Sequence, residues 1–78
     1  MNPSYDDLAL LAAVVRHRGF RRAAAEAGVS PSSLSERARA LEGRLGVRLL
    51  NRTTRSVSPT EAGEAVMARF GPALEDLA

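Results

Sequence analysis

Ten of the eleven arginines of this chain fall between Arg16 and Arg55, opposed there only by Glu26, Glu36 and Glu42, a local charge of +7 in a chain of net charge +2. The flanks are acidic: Asp6 and Asp7 precede the stretch, and Glu61, Glu64, Glu75 and Asp76 outnumber Arg69 after it. Guanidinium groups offer forked donors that suit phosphate oxygens and the guanine edge, so a basic centre between acidic ends fits a surface that meets a polyanion. An ordinary solvated arginine face is the alternative. The chain has no lysine, and with its many alanines this marks a GC-rich coding bias. Arginine richness alone therefore does not decide between the two, and placement must.

Other chemistries find little support. There is no cysteine, which excludes disulfides and thiolate metal sites, and a single histidine, His17, cannot build a zinc site without partners. No nucleophile–base pair, carboxylate dyad or glycine-rich phosphate loop is present, so no enzymatic activity, metal or cofactor is expected. His17 reads as an ordinary residue in the last turn of a helix, favoured there by the dipole. At 78 residues the chain is one domain near the lower size limit for a self-sufficient core, and extra stability must come from helix packing or oligomerisation. The longest apolar run, Leu8 to Val15, is too short to cross a bilayer and follows no signal-peptide pattern, so a soluble cytoplasmic domain is expected.

The elements that position these arginines follow from local rules. Ser4 and Asp7 form a capping-box-like start, and Leu8, Leu11, Ala12 and Val15 recur at helical spacing, with Leu10 and Val14 widening the stripe until Gly19 ends it. A short helix follows, Arg21 to Ala27, whose Ala23, Ala24 and Ala27 form a face of small side chains; Gly28 closes it. Ser30 as N-cap and Pro31 at the first position open a third helix, about residues 31–45, burying Leu34, Ala38, Leu41 and Leu45 before Gly46. Two helices separated by Gly28-Val29-Ser30 have helix-turn-helix geometry. Beyond them, Val47 and Leu49, then Val57 and Ser58, predict two short strands joined by a basic tip, a wing. Thr60 caps a last helix with a stripe of Val66, Phe70, Ala73 or Leu74, and Leu77, which Gly71-Pro72 should bend. That stripe exceeds what so small a core can cover, and it reads as a dimerisation arm. The expected fold is mainly α: a winged helix-turn-helix over residues 1–58 with a small two-stranded wing, then a dimerisation helix over 59–78.

Residues turn by about 100° each along a helix. With Leu34, Ala38 and Leu41 toward the core, Ser32, Ser35, Glu36 and Arg39 face outward as candidates for a major groove, with Ser33 at the edge. Arg39 can pair with guanine or reach a phosphate; the serines can donate or accept. Glu36 either accepts from the cytosine amino group or pairs along the helix with Arg37 or Arg39. Arg21 and Arg22 sit at a helix start suited to phosphates, and Arg37 of the third helix is a further phosphate candidate. In the wing, Arg55 is expected in the minor groove and Thr53 and Thr54 on phosphates, while Arg52 either joins them or ties the wing to the domain body. Ser30 and Thr60 are first of all caps, with a phosphate contact a second use. Two competing readings, a winged-helix module that binds protein instead of DNA and a bare dimerisation module, leave the basic residues on three separate elements without a purpose.

These motifs resemble those of the N-terminal domain of LysR-type transcriptional regulators over nearly the whole chain. Phe20-x-x-Ala23-Ala24, Gly28-Val29-Ser30, Leu34-Ser35, Leu41-Glu42-x-x-Leu45-Gly46, Leu49-x-x-Arg52, Arg55 and Thr60-x-x-Gly63 carry the likeness in order. It implies a bacterial sequence-specific DNA-binding domain that dimerises through its last helix, the start of a linker helix, with tetramers available to a full-length protein. It further implies pseudo-palindromic operators with an interrupted T…A dyad, and a following effector-binding domain of periplasmic-binding-protein fold. A small-molecule effector is thus expected only in that other domain, and the present chain as an isolated or partial one. Gly19 stands where the family commonly has a capping serine, Pro31 where it often has a base-reading glutamine, and Glu36 where a basic residue is frequent.

Overall fold

The computed structural model describes residues 3–53 and 55–77, the side chains of residues 73–77 excepted. Helix α1 (Tyr5–His17) is followed by α2 (Phe20–Ala27), α3 (Pro31–Leu45), strands β1 (Leu50–Arg52) and β2 (Val57–Pro59), and α4 (Glu61–Leu77). The strands pair antiparallel with Leu50 opposite Pro59, Asn51 opposite Ser58 and Arg52 opposite Val57. This is a winged helix-turn-helix followed by a long helix.

Local chemistry sets the helix boundaries. The Ser4 hydroxyl accepts from the Asp7 N–H at 3.1 Å while the Asp7 carboxylate accepts from the Ser4 N–H at 3.0 Å, the reciprocal capping box. Ser30 caps α3 by accepting from Ser33 N–H at 3.1 Å. Gly28 and Gly46 take left-handed φ of 74° and 69° beyond the ends of α2 and α3. After α1 the left-handed residue is Arg18 (φ 57°), not the expected Gly19. Arg18 N–H donates to Val15 and Gly19 N–H to Val14, a Schellman ending that a side chain occupies at a steric cost. Its compensation is long-range: with the chain turned there, the Arg18 carbonyl accepts from Val57 N–H of β2 at 3.0 Å.

The core gathers Leu10, Leu11 and Val14 from α1, Ala23 and Ala24 from α2, Leu34, Ala38 and Leu41 from α3, and Leu49, Leu50 and Val57 from the wing base. Helix α1 packs against α2, α3, α4 and β2, so Leu10 and Val14 are buried while Ala12 and Val15 of the expected stripe are half-exposed. The wing begins later than expected. Val47 is 42 % exposed and pairs with no strand, because Glu42 of α3 captures the N–H groups of Leu49 and Leu50 and the ladder starts only at Leu50. Helix α4 continues through Gly71-Pro72, and its Val66 and Met67 pack on the chain's own core. No described helix is long and apolar enough to cross a membrane.

Candidate nucleic-acid interface

Ser32, Ser35, Glu36 and Arg39 of α3 line one shallow open depression together with Pro31 and the Phe20 ring. These are the four residues that helical geometry turned outward. Ser33 is exposed beside them, its backbone N–H held by the Ser30 cap. The Ser30 hydroxyl uses a lone pair for that cap and keeps its proton. Glu36 is exposed and makes no ion pair among the described residues, so of its two readings the intrahelical pair with Arg37 or Arg39 is not formed. Arg37 lies elsewhere on α3: it borders a groove lined from all four helices, among others by Tyr5, Leu10, Ala27 and Met67, and is not brought together with the other four.

The arginines divide into two populations. Arg16 pairs with Glu26, Arg44 with Asp7 at 2.6 Å, and Arg52 with Glu42 at 3.2 Å. Arg21 and Arg22 on α2, Arg37 and Arg39 on α3, and Arg55 in the wing are all exposed, with no carboxylate partner among the described residues. Arg18 and Arg48 are equally exposed and without a carboxylate partner among the described residues, although sequence reasoning assigned them nothing. His17 joins Arg16 on Glu26, its Nε2 lying 3.0 Å from the carboxylate. Hydrogen bonds from His17 and then Arg16 hold the Glu26 carboxyl below its ordinary pKa. Among the described residues no cluster could hold a metal ion.

Arg52, for which a place on DNA and a tie between wing and domain body were both open, is bonded within the domain. Its guanidinium turns inward, donating to the Ser35 hydroxyl at 2.8 Å and to Glu42 at 3.2 Å, and lies 4.7 Å from the Phe20 ring centroid. Of the two uses open to it, the structure holds the internal one. Glu42 is the hub beneath: one oxygen accepts from Leu49 and Leu50 N–H at 2.7 and 3.1 Å, the other from Arg52. Partial burial pushes the Glu42 carboxyl up, but these donors outweigh it and the net shift is downward. Sequence reasoning missed this hub. Its signal was that Ser35 and Glu42, seven apart, share a helix face, so that a donor serving both must come from another element.

The wing tip is internally bonded. The Thr53 hydroxyl donates to the Ser56 carbonyl at 2.9 Å and accepts from Arg55 and Ser56 N–H at 3.2 and 3.0 Å. Its proton is thus engaged within the turn that carries Arg55, and not free for the phosphate expected of it. Thr54, expected on a phosphate, lies outside the described residues, as do the side chains of Leu74 and Leu77 expected at a dimer contact. Of that contact's other members, Val66 faces the domain's own core and Phe70 is half-exposed. At the base of the wing, Thr60 donates from its hydroxyl to the Arg48 carbonyl at 2.6 Å and accepts from Gly63 N–H at 3.0 Å.

Residues 5–64 match the family model described as "Bacterial regulatory helix-turn-helix protein, lysR family". The chain is 51 % identical over 71 residues to the HTH-type transcriptional regulator PgrR of Escherichia coli (strain K12), covering 91 % of this chain and 24 % of that protein. It spans about a quarter of the length of the curated relatives it matches. Among solved structures it is similar to the CbnR DBD–DNA complex (TM-score 0.84, 32 % identity, 94 % of this chain and 84 % of that one). It is similar also to the BenM DBD/benA site 1 DNA complex (TM-score 0.87, 28 % identity, 96 % and 84 %).

Proposed function

The chain belongs to the LysR family of bacterial regulatory helix-turn-helix proteins, and from that premise we infer that it reads pseudo-palindromic operator DNA as a cytoplasmic homodimer. Helix α3 enters the major groove of the duplex with Ser32, Ser35, Glu36 and Arg39 toward the base edges, Ser33 at the margin and Glu36 accepting from a cytosine amino group. Arg21 and Arg22 at the start of α2 and the free proton of Ser30 hold phosphates, and the wing carries Arg55 to the minor groove. Arg52 stays inside the domain and supports the wing. The dimer forms through α4 around Phe70. The role is recognition, with no catalysis, and small-molecule effector binding is assigned to none of these residues.

One observation carries this reading: the arginines without a carboxylate partner among the described residues include those on α2, on the outward face of α3 and at the wing tip, three elements that only a groove-shaped partner would touch together. A salt titration of duplex binding tests it. Each neutralised phosphate releases counterions, so the affinity should fall with a log–log slope of roughly −0.9 per phosphate. A flat response, or no duplex binding at low salt, overturns the proposal.

A further inference from the structure

The Ser35 hydroxyl is not a neutral bystander on the outward face of α3. Its oxygen already accepts from Arg52 Nη1 at 2.8 Å, and that guanidinium is held in place by Glu42 at 3.2 Å and by the Phe20 ring at 4.7 Å. Glu42 is in turn fixed by two backbone donors at 2.7 and 3.1 Å. A hydroxyl has one proton and two lone pairs. A charge-assisted donor on one lone pair draws electron density from the oxygen, which strengthens the O–H as a donor and weakens the remaining lone pair as an acceptor. Among the described residues the Ser35 proton finds no acceptor, and the side chain borders the open depression shared with Ser32, Glu36 and Arg39.

We propose that Ser35 is a specificity residue that donates to an acceptor on a base edge and disfavours cytosine opposite it, with Arg52 the positioning residue that sets this polarity from behind. The proposal rests on the DNA-binding reading above. In the major groove guanine presents O6 and N7, adenine N7 and thymine O4, all acceptors, whereas cytosine presents only its N4 amino donor. A serine free to rotate would accept from that amino group as readily as it donates elsewhere. A serine polarised by Arg52 does not. The neighbouring Glu36 carboxylate offers acceptor oxygens, so two adjacent residues present opposite polarities to the groove.

The test is selection from a random duplex library with the wild-type chain, Ser35→Ala, Arg52→Met and Arg52→Lys. The wild type should show one position per half-site depleted of cytosine. Ser35→Ala, a half-exposed change that leaves the Arg52–Glu42 pair in place, should relieve the depletion there by about fivefold and alter no other position. Arg52→Met should relax the same position, and Arg52→Lys, which keeps a charged donor, should restore part of the preference. Ser35→Ala decides the matter alone if Arg52→Met does not fold. An unchanged cytosine depletion in Ser35→Ala, or a uniform loss of affinity with every preference intact (as for a phosphate contact), overturns the proposal while leaving DNA binding standing. A wild-type chain that selects no duplex overturns both.

Discussion

A β-carbon placed on Gly63 would overlap the carbonyl oxygen of Leu49 and come within 3.3 Å of Pro59 Cβ. The first turn of α4 lies flat on the backbone at the base of the wing, and this approach brings Thr60 N–H within 2.9 Å of the same Leu49 carbonyl. The obstruction is main chain, which cannot rotate aside as a side chain would. Gly63→Ala should therefore destabilise the chain by about 2–3 kcal/mol. Gly43→Ala is the contrasting change: it lies inside α3 with open space around the added methyl, and it should stabilise by about 0.5–1 kcal/mol. Urea denaturation of the two variants should move the midpoint in opposite directions.

Acid should loosen the wing. Partial burial raises the carboxyls of Glu42 and Asp7, yet hydrogen bonds and the neighbouring Arg52 and Arg44 bring both below their ordinary pKa. Each is thus a weaker proton acceptor in the folded chain than in the unfolded one. Its stabilisation is fully present above the unfolded carboxylate values, near 4, and is lost as pH falls through the lower folded values. Melting temperatures should hold level from neutrality down to about pH 5 and decline below about pH 4. Glu42→Gln, which cannot titrate, should melt lower at neutral pH and lose less on acidification. Parallel profiles for variant and wild type would falsify this assignment.

Helix α2 starts on Gly19, which makes no side-chain cap bond. The position is extended (φ 176°) and a side chain there meets nothing within 4 Å. Gly19→Ser should supply the missing acceptor for the first turn and raise stability by a few tenths of a kcal/mol, readable as a higher melting temperature.

The two arginine populations predict two behaviours on DNA. Replacing Arg21 or Arg22 by alanine should reduce the magnitude of the salt slope by roughly 0.9 for each phosphate that is no longer neutralised. Replacing Arg16 or Arg44, which face Glu26 and Asp7, should leave the slope unchanged. Equal slopes for Arg21→Ala and Arg16→Ala would count against the placement of α2.

Phe70 is half-exposed on α4, with the Arg69 guanidinium 5.4 Å from its ring. Phe70→Asp should shift sedimentation toward monomer while helicity stays near the wild-type level. Val66→Asp should instead unfold the chain, since Val66 packs on the core.

The contrast between Val66 and Phe70 shows where sequence reading stops. Both belong to one apolar stripe, and periodicity cannot say whether a stripe covers its own core or a partner's. Helix ends dictated within one turn, such as those at Ser4, Ser30, Gly28 and Gly46, were legible because the rule and the residue sit together. Arg18 was not, because the bond that its left-handed turn makes comes from Val57, far along the chain. The outward face of α3 was legible from the 100° turn per residue. The inward turn of Arg52 was legible only as one of two uses, because its partners Phe20, Ser35 and Glu42 lie on two helices that only the fold brings around the wing.

The wing hangs largely from main-chain atoms: Val57 N–H on the Arg18 carbonyl, Thr60 N–H on the Leu49 carbonyl, and the amides of Leu49 and Leu50 on Glu42. Side-chain replacement does not remove the first two of these. Ser32, Glu36 and Arg39 take no part in this suspension, so a lineage can exchange them and acquire a new operator without moving the frame that presents them. Ser35 is the exception, bound to Arg52 behind it. Retargeting this domain is therefore free at three positions of its reading face and constrained at the fourth, where a change of residue also gives up a hydrogen bond from Arg52.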